Sequence, residues 1–174
     1  YQYHGGAAQN LIAAAIEEAV DPNRIWFLNK TTSLEDHIRR ASLASVFLDT
    51  RLYNAHTLAV DVLWAGVPLV TWPETSLASR VSASLLSASD LGATIARSSE
   101  DYVSLASTLA LKGRGQAVQQ LRDKFNKLRH HGDVFNVSGF VRRLERGFRL
   151  GVEMALNDGN RVDSRKHTIV CDPS

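Results

Sequence analysis

The spacing of apolar residues along the first third of the chain alternates between helical and strand-like patterns. Residues 7–20, AAQNLIAAAIEEAV, are rich in helix-forming residues and predict an amphipathic helix. The run RIWFL at residues 24–28 is short, apolar and rich in aromatic and branched side chains, which predicts a buried parallel strand. A second helix is predicted to begin at Ser33, which is a favourable N-cap residue with an acid, Asp36, three residues later.

The alternation continues through the middle of the chain. Residues 45–48 (SVFL) predict a second strand, residues 56–66 predict a helix that ends at a glycine, and residues 67–72 predict a third strand. A helix over 76–87 and a short strand over 93–96 are predicted next. Strands that alternate with helices in this way form a parallel sheet with helices on both faces. The pattern therefore predicts an α/β, Rossmann-like domain.

Helices without intervening strands are predicted for the rest of the chain, except its last residues. They cover residues 101–111, 116–128 and 137–154. The last two helices are amphipathic, so each is expected to bury one face. The side chains expected on these buried faces are Val118, Leu121, Phe125 and Leu128 in one helix and Phe140, Leu144 and Phe148 in the other.

The predicted elements suggest a division of the chain into three parts. A Rossmann-like domain is expected over residues 1–112, followed by C-terminal helices that pack on it over residues 113–156. Residues 157–174 are polar and lack periodicity, so a flexible tail is expected there.

Composition and charge narrow the classes of partner. The chain has 174 residues, of which 44% are apolar, and its formal net charge is +2, which favours neither a nucleic acid nor a membrane as partner. No apolar run approaches the roughly 20 residues that span a bilayer. The one cysteine, Cys171, has no partner for an internal disulfide, which indicates a reducing compartment and predicts a cytoplasmic or nuclear location.

A candidate anion site lies in the loop at residues 49–55, between a predicted strand and a predicted helix. In open parallel sheets, ligands bind beyond the carboxyl ends of the strands, where a loop leads to the start of the next helix. The N–H groups of His56, Thr57 and Leu58 are expected to be free there, at the positive end of the helix dipole. The sequence therefore predicts a phosphate site to which the Thr57 hydroxyl and the His56 imidazole also contribute.

Asp61 has two possible roles. It lies four residues after Thr57 and so shares its helical face, where a carboxylate could accept hydrogen bonds from ribose hydroxyls. Acids near helix N-termini are also common for a structural reason, because they complement the helix dipole. The pattern alone leaves both roles open.

The segment LASVFLDTRLYNAHTLAVDVLWAGVPLVTWPETSLASRV, residues 43–81, resembles the core of the C-terminal domain of O-linked N-acetylglucosamine transferases. Weaker similarity extends upstream and downstream over more than half of the chain. The resemblance implies the C-terminal half of a two-domain GT-B glycosyltransferase, which binds a uridine diphosphate sugar.

The same resemblance implies roles for individual residues. It places His56 and Thr57 at the diphosphate and Asp61 at the ribose. Residues His37 and Arg40 match a family His-x-x-Arg element that lies beside the uracil and the ribose. Without the resemblance, these two would be ordinary residues on one face of a helix.

Departures from the family pattern also matter. Leu58 stands where the family usually has a second Thr, so a hydroxyl donor is missing although the backbone N–H remains. Leu34 falls where the family has a Lys, and Lys30 is only a loose substitute. The family's phosphate-binding Lys, its active-site His and its N-terminal Rossmann-like half are not found in these residues. We therefore assign no catalytic residue in this chain and expect these residues alone to be inactive.

The function that the resemblance implies is inverting transfer of N-acetylglucosamine from UDP-GlcNAc to Ser or Thr of intracellular proteins. The expected partners are this donor, protein acceptors, the N-terminal GT-B half and TPR repeats in a longer chain, with no cofactor and no metal ion. One alternative is a related protein O-fucosyltransferase that uses GDP-fucose, although that group tends to have a Thr-rich helix start and a Glu in place of Asp61. Another alternative is a degenerate nucleotide-binding or scaffolding module without catalytic activity.

Overall fold

The computed structural model describes residues 5–111 and 116–157, which form seven α-helices and two strands within those ranges. The helices are α1 (Gly5–Glu17), α2 (Leu34–Ala41), α3 (Thr57–Trp64), α4 (Val81–Ser87), α5 (Ser99–Leu111), α6 (Gln116–His131) and α7 (Val137–Asn157). The strands are β1 (Phe47–Leu48) and β2 (Leu69–Val70). The chain divides into two compact units, with the boundary between His37 and Ile38. The tail expected over residues 157–174 lies outside the described residues apart from Asn157, where α7 ends.

In the first unit, the predicted helix is confirmed as α1, but the predicted strand at residues 24–28 is wrong. The described chain is irregular there after a 3-10 turn at Pro22–Arg24. The Trp26 side chain is 81% exposed, and its indole N–H donates to the carbonyl of Asn23 at 3.0 Å. An apolar run forms a strand only if a neighbouring strand takes up its backbone hydrogen bonds, and none pairs with it among the described residues.

The predicted start of the second helix is confirmed. The N–H of Asp36 donates to the Ser33 hydroxyl oxygen at 3.1 Å, which caps α2. The Ser33 hydroxyl donates in turn to the Asp36 carboxylate at 2.8 Å. This differs from a full capping box, in which the acid accepts from the backbone N–H of the cap residue.

The sheet is parallel, as the sequence predicts, but smaller. Strand β1 pairs with β2, with Phe47 opposite Leu69, and α3 lies between them in sequence. The strand predicted at 93–96 is wrong, because this segment is a 3-10 turn followed by a single parallel bridge between Ile95 and Thr71. The N–H of Thr94 donates to the carbonyl of Leu91, so the turn uses a backbone donor that a longer strand would need, and the Thr94 hydroxyl donates to the same carbonyl.

The helix predicted at residues 76–87 is interrupted. It consists of a 3-10 turn at Leu77–Ser79 followed by α4. The Ser76 hydroxyl accepts from the N–H of Ser79 at 3.3 Å, and the Ser79 hydroxyl donates to the Ser76 carbonyl at 2.8 Å. Serine side chains that bond the local backbone compete with the helical pattern, which explains the break.

The core lies where α3, β2, α4 and α6 meet. Its buried members are Ala59, Val62, Leu63, Val67, Leu69, Leu86, Leu91, Phe125 and Leu128. The buried face predicted for α6 is thereby confirmed at Phe125 and Leu128, while Val118 and Leu121 are half-buried. Gly66 follows α3 with φ +74 and lies directly against Asn126 of α6.

The buried face predicted for α7 is wrong within the described residues. Phe140 is 58% exposed, Leu144 44% and Phe148 67%. The periodic spacing shows that one stripe of α7 is apolar, but it does not reveal whether another element covers that stripe. None of the described helices is long and apolar enough to cross a bilayer.

Candidate functional site

The candidate site lies in the loop between the end of β1 and the start of α3, where the sequence predicts it. The loop spans residues 49–55 and leads directly to His56, the N-cap of α3. In open parallel sheets, ligands bind beyond the carboxyl ends of the strands, and the loop follows the carboxyl end of β1.

The carboxylate of Asp49 holds the loop through hydrogen bonds. The residue is buried, with 5% of its surface exposed. Its Oδ1 accepts hydrogen bonds from the N–H groups of Thr50 and Ala55, each at 2.9 Å. Its Oδ2 accepts from the Thr71 hydroxyl, which follows β2, at 2.8 Å. The Tyr102 hydroxyl of α5 donates to the Asp49 carbonyl at 2.9 Å. The sequence reasoning missed Asp49; the only signal was an acid directly after a run of apolar residues that predicts a strand.

Asn54, which is 1% exposed, connects the loop to the segment around α4. Its backbone N–H donates to the carbonyl of Ala78 at 2.8 Å, and its side-chain amide donates to the carbonyl of Thr50 at 2.8 Å. Its Oδ1 accepts from the N–H of Ser82 at 3.2 Å. The sequence reasoning missed this residue as well.

His56 is held in an unusual backbone conformation, with φ 40 and ψ −111. Its Nε2 lies 3.0 Å from the carbonyl oxygen of Ala78, and its ring stacks on Tyr53 with centroids 4.6 Å apart. Because a carbonyl oxygen can only accept, Nε2 carries the hydrogen in this contact. Positive φ in a residue other than glycine is costly and concentrates at functional sites.

The start of α3 presents fewer free donors than the sequence predicts. The N–H of Leu58 donates to the carbonyl of Ala55 at 2.8 Å, so the expectation that this group is free is wrong. This bond closes a tight first turn, which satisfies one of the donors that a helix start otherwise leaves unpaired. The N–H groups of His56 and Thr57 have no acceptor within residues 5–111 and 116–157. Thr57 is exposed, so its hydroxyl is accessible to a ligand.

Asp61 lies on α3 one turn after Thr57 and is half-buried. It is the fifth residue of the helix, and no acid occurs in the first turn. The effect of the helix dipole on a charge falls off within the first turn. The position of Asp61 therefore weakens the explanation that this acid complements the helix dipole.

His37 and Arg40 lie three residues apart on α2, and both are half-buried. The structure brings His56, Thr57, Leu58 and Asp61 together in the first turns of α3. It places His37 and Arg40 on a different helix, α2.

A charged and aromatic cluster flanks the loop. The Arg51 guanidinium lies 4.2 Å from the centre of the Trp72 ring and pairs with the Glu74 carboxylate. Arg80 donates to the backbone carbonyl of Glu74 at 3.1 Å. The cluster connects the loop to the chain that follows β2, with cations at its surface.

One titratable group next to the loop is perturbed. Burial, with a further contribution from the negative charge of Asp49, raises the pKa of Tyr102 above its ordinary value. The Tyr102 hydroxyl therefore stays protonated and remains a hydrogen-bond donor to Asp49. Across residues 5–111 and 116–157, no group of three or more His, Cys, Asp or Glu side chains is arranged to hold a metal ion.

Comparisons with known proteins give a consistent result. The sequence model of Glycosyl transferase family 41 matches residues 2–144. The chain is 39% identical over 130 residues to a UDP-N-acetylglucosamine–peptide N-acetylglucosaminyltransferase of Caenorhabditis elegans, an alignment that covers 75% of this chain and 11% of that protein. It is 40% identical over 135 residues to the probable enzyme of this name, SEC, of Arabidopsis thaliana, covering 77% of this chain and 14% of the relative.

A solved structure agrees in fold. A mutant of the Thermobaculum terrenum O-GlcNAc transferase superposes with a TM-score of 0.69 at 28% identity, covering 82% of this chain and 27% of the other. The Rossmann-like α/β fold of a GT-B enzyme is thereby confirmed. The chain thus spans only a small part of the relatives that it matches. The family match over most of its length nevertheless shows that this chain belongs to glycosyl transferase family 41.

Proposed function

We propose that this chain supplies the donor-binding half of a protein O-GlcNAc transferase, which transfers N-acetylglucosamine from UDP-GlcNAc to Ser or Thr of intracellular proteins. The observation that carries the proposal is the start of α3, where the N–H groups of His56 and Thr57 lack acceptors in the described part of the chain. Two relatives of the chain are named as enzymes that use this sugar nucleotide and a peptide.

The role of the site in the reaction follows from where charge develops. As the glycosidic bond breaks with inversion, negative charge grows on the leaving diphosphate. Donors that are already fixed at a helix start stabilise this charge without having to reorganise. The acceptor hydroxyl, its base and the second domain come from outside these residues, so the chain alone holds nucleotide weakly and transfers no sugar. This arrangement needs no metal ion.

Each residue of the site has a specific part in the proposal. His56 and Thr57 bind the phosphates through their N–H groups, and the Thr57 hydroxyl adds a further donor. Asp61 accepts from a ribose hydroxyl, while His37 and Arg40 of α2 bind the uracil and ribose. Leu58 lies at the site but offers no side-chain donor, and its N–H is used within the first turn.

Calorimetric titration of the full-length protein with UDP and GDP tests the donor assignment. UDP is expected to bind more tightly. Tighter binding of GDP would favour an O-fucosyltransferase instead, and binding of neither would leave the non-catalytic scaffold as the function.

Variants of the helix start test the location of the site. Thr57→Val removes one hydroxyl donor and should weaken UDP binding by about 1 kcal/mol, a factor of about five. Thr108→Val makes the same change on α5 and should leave the affinity unchanged. Replacing both His56 and Thr57 by Ala without any loss of UDP affinity would refute this location for the phosphates.

A further inference from the structure

Asp49 is a buried carboxylate with no part in the proposed contacts to the nucleotide. Both of its oxygens are already used by donors of this chain, which come from the loop and from Thr71. A buried carboxylate is costly unless such donors satisfy it. A bare carboxylate would also repel a diphosphate, so electrostatics disfavours direct contact between Asp49 and the phosphates.

The three hydrogen bonds join the two ends of the loop to the sheet. Thr50 begins the loop and Ala55 ends it, and both donate to the same oxygen, Oδ1. The second oxygen is tied to Thr71, which directly follows β2. The Asp49 side chain therefore closes the loop and fixes it to the edge of the sheet at the same time.

Ala55 connects this network to the phosphate site. Its N–H is held by Asp49, and its carbonyl accepts from the N–H of Leu58, which closes the first turn of α3. Hydrogen bonds therefore hold the peptide groups on both sides of Ala55, including the one that joins it to His56. The orientation of the peptide group between Ala55 and His56 sets the direction of the His56 N–H, and α3 continues from there to the N–H of Thr57.

We propose that Asp49 is a positioning residue of the donor site: it aims the start of α3 at the diphosphate without contacting the nucleotide. This proposal rests on the proposed function. It adds a residue that neither the sequence reasoning nor the family resemblance assigned. It also predicts different effects on two kinds of contact, because fixing the helix start matters for binding of the phosphates and much less for binding of the nucleoside.

The test compares the affinities of the full-length protein for UDP and for uridine, which lacks the phosphates. The affinity for uridine is measured by its competition with UDP. Asp49→Ala removes all three accepted bonds and should weaken UDP binding at least about tenfold, while uridine affinity changes by less than about twofold. Asp49→Asn can still accept from both N–H groups and donate to Thr71, so UDP binding should return to within about threefold of the parent.

Two further variants separate positioning from loss of stability. Leu128→Ala removes core packing on α6 but leaves the three hydrogen bonds of Asp49 in place. It should therefore lower the melting temperature without weakening UDP binding more than uridine binding. If Asp49→Ala does not fold, Thr71→Val replaces it, because this change removes only the bond to Oδ2. UDP binding should then weaken by about threefold, with uridine unchanged.

The outcomes are distinct. Equal weakening of UDP and uridine by the Asp49 or Thr71 variant, or unchanged UDP affinity, overturns the positioning role and leaves the proposed function standing. A UDP-selective loss in Leu128→Ala also overturns it. A parent protein that does not bind UDP overturns both proposals.

Discussion

The end of α3 offers a sharp test of packing, because Gly66 combines a left-handed backbone with close approach to α6. Its φ is +74, and a Cβ added there would lie 2.6 Å from Oδ1 and 3.4 Å from the backbone Cα of Asn126. The nearer atom belongs to the tip of a side chain, which can move, whereas the separation from the backbone atom is an ordinary van der Waals contact. We therefore expect Gly66→Ala to fold, with a measurable loss of stability.

The magnitude follows from three contributions. A left-handed conformation costs a non-glycine residue about 1–2 kcal/mol. The lower entropy of the unfolded alanine chain offsets about 0.4–1 kcal/mol of this. Displacement of the Asn126 side chain adds about 1 kcal/mol, at the low end for overpacking. The free energy of unfolding should therefore fall by about 2 kcal/mol.

Urea unfolding, followed by circular dichroism, measures this loss of stability. A double-mutant cycle separates the clash with Asn126 from the cost of the left-handed backbone. In an Asn126→Ala background the clash is absent, so Gly66→Ala should cost only about 1 kcal/mol. A loss below about 0.5 kcal/mol in the parent, or the same loss in both backgrounds, would refute the reasoning. UDP affinity should not change, because Gly66 lies beyond the opposite end of α3 from His56.

Three other substitutions probe the site and its surroundings. Asp61→Asn should weaken UDP binding at least about tenfold in calorimetry if the carboxylate accepts a ribose hydroxyl, and an earlier melting point with parental affinity would contradict that role. Leu58→Thr should leave UDP affinity unchanged or slightly improved, and a clear loss in the same titration would contradict the view that the Leu58 side chain adds nothing to binding. Because the pKa of Tyr102 is raised in the folded state, its stability contribution is present below the ordinary value of 10.0 and is lost as pH rises above it. Tyr102→Phe should therefore lose less stability than the parent on alkaline denaturation, and equal losses would contradict this.

The sequence was sufficient for features that depend on local interactions. Ser33 caps α2 through a residue three positions away, and the apolar spacing before Gly66 marks both the extent of α3 and its end. Residues 24–28 and Phe140 show where such reasoning fails. Their apolar character is visible in the sequence, but burial depends on what another part of a protein places against them.

The candidate site shows the same division. The strand, loop and helix start that form it could be predicted from local apolar spacing, while anion binding at the start of α3 stays a prediction. Asp49 could not be predicted, since its partners Thr71 and Tyr102 lie 22 and 53 residues away along the chain. The pairing of the Leu58 N–H with Ala55 also escaped prediction, because it depends on the tightness of the first turn.

The bonds that Asn54 makes to Ala78 and Ser82 affect any attempt to exchange this loop between family members. A graft of residues 49–55 alone would bring a new loop onto an unchanged α4 segment. A backbone N–H at position 54 could still reach the Ala78 carbonyl, but a loop without Asn54 would leave the N–H of Ser82 without its side-chain acceptor. The smallest transplantable module therefore consists of two stretches, residues 49–56 and 76–82. Recombination libraries that place a crossover between them should yield few chimeras that fold.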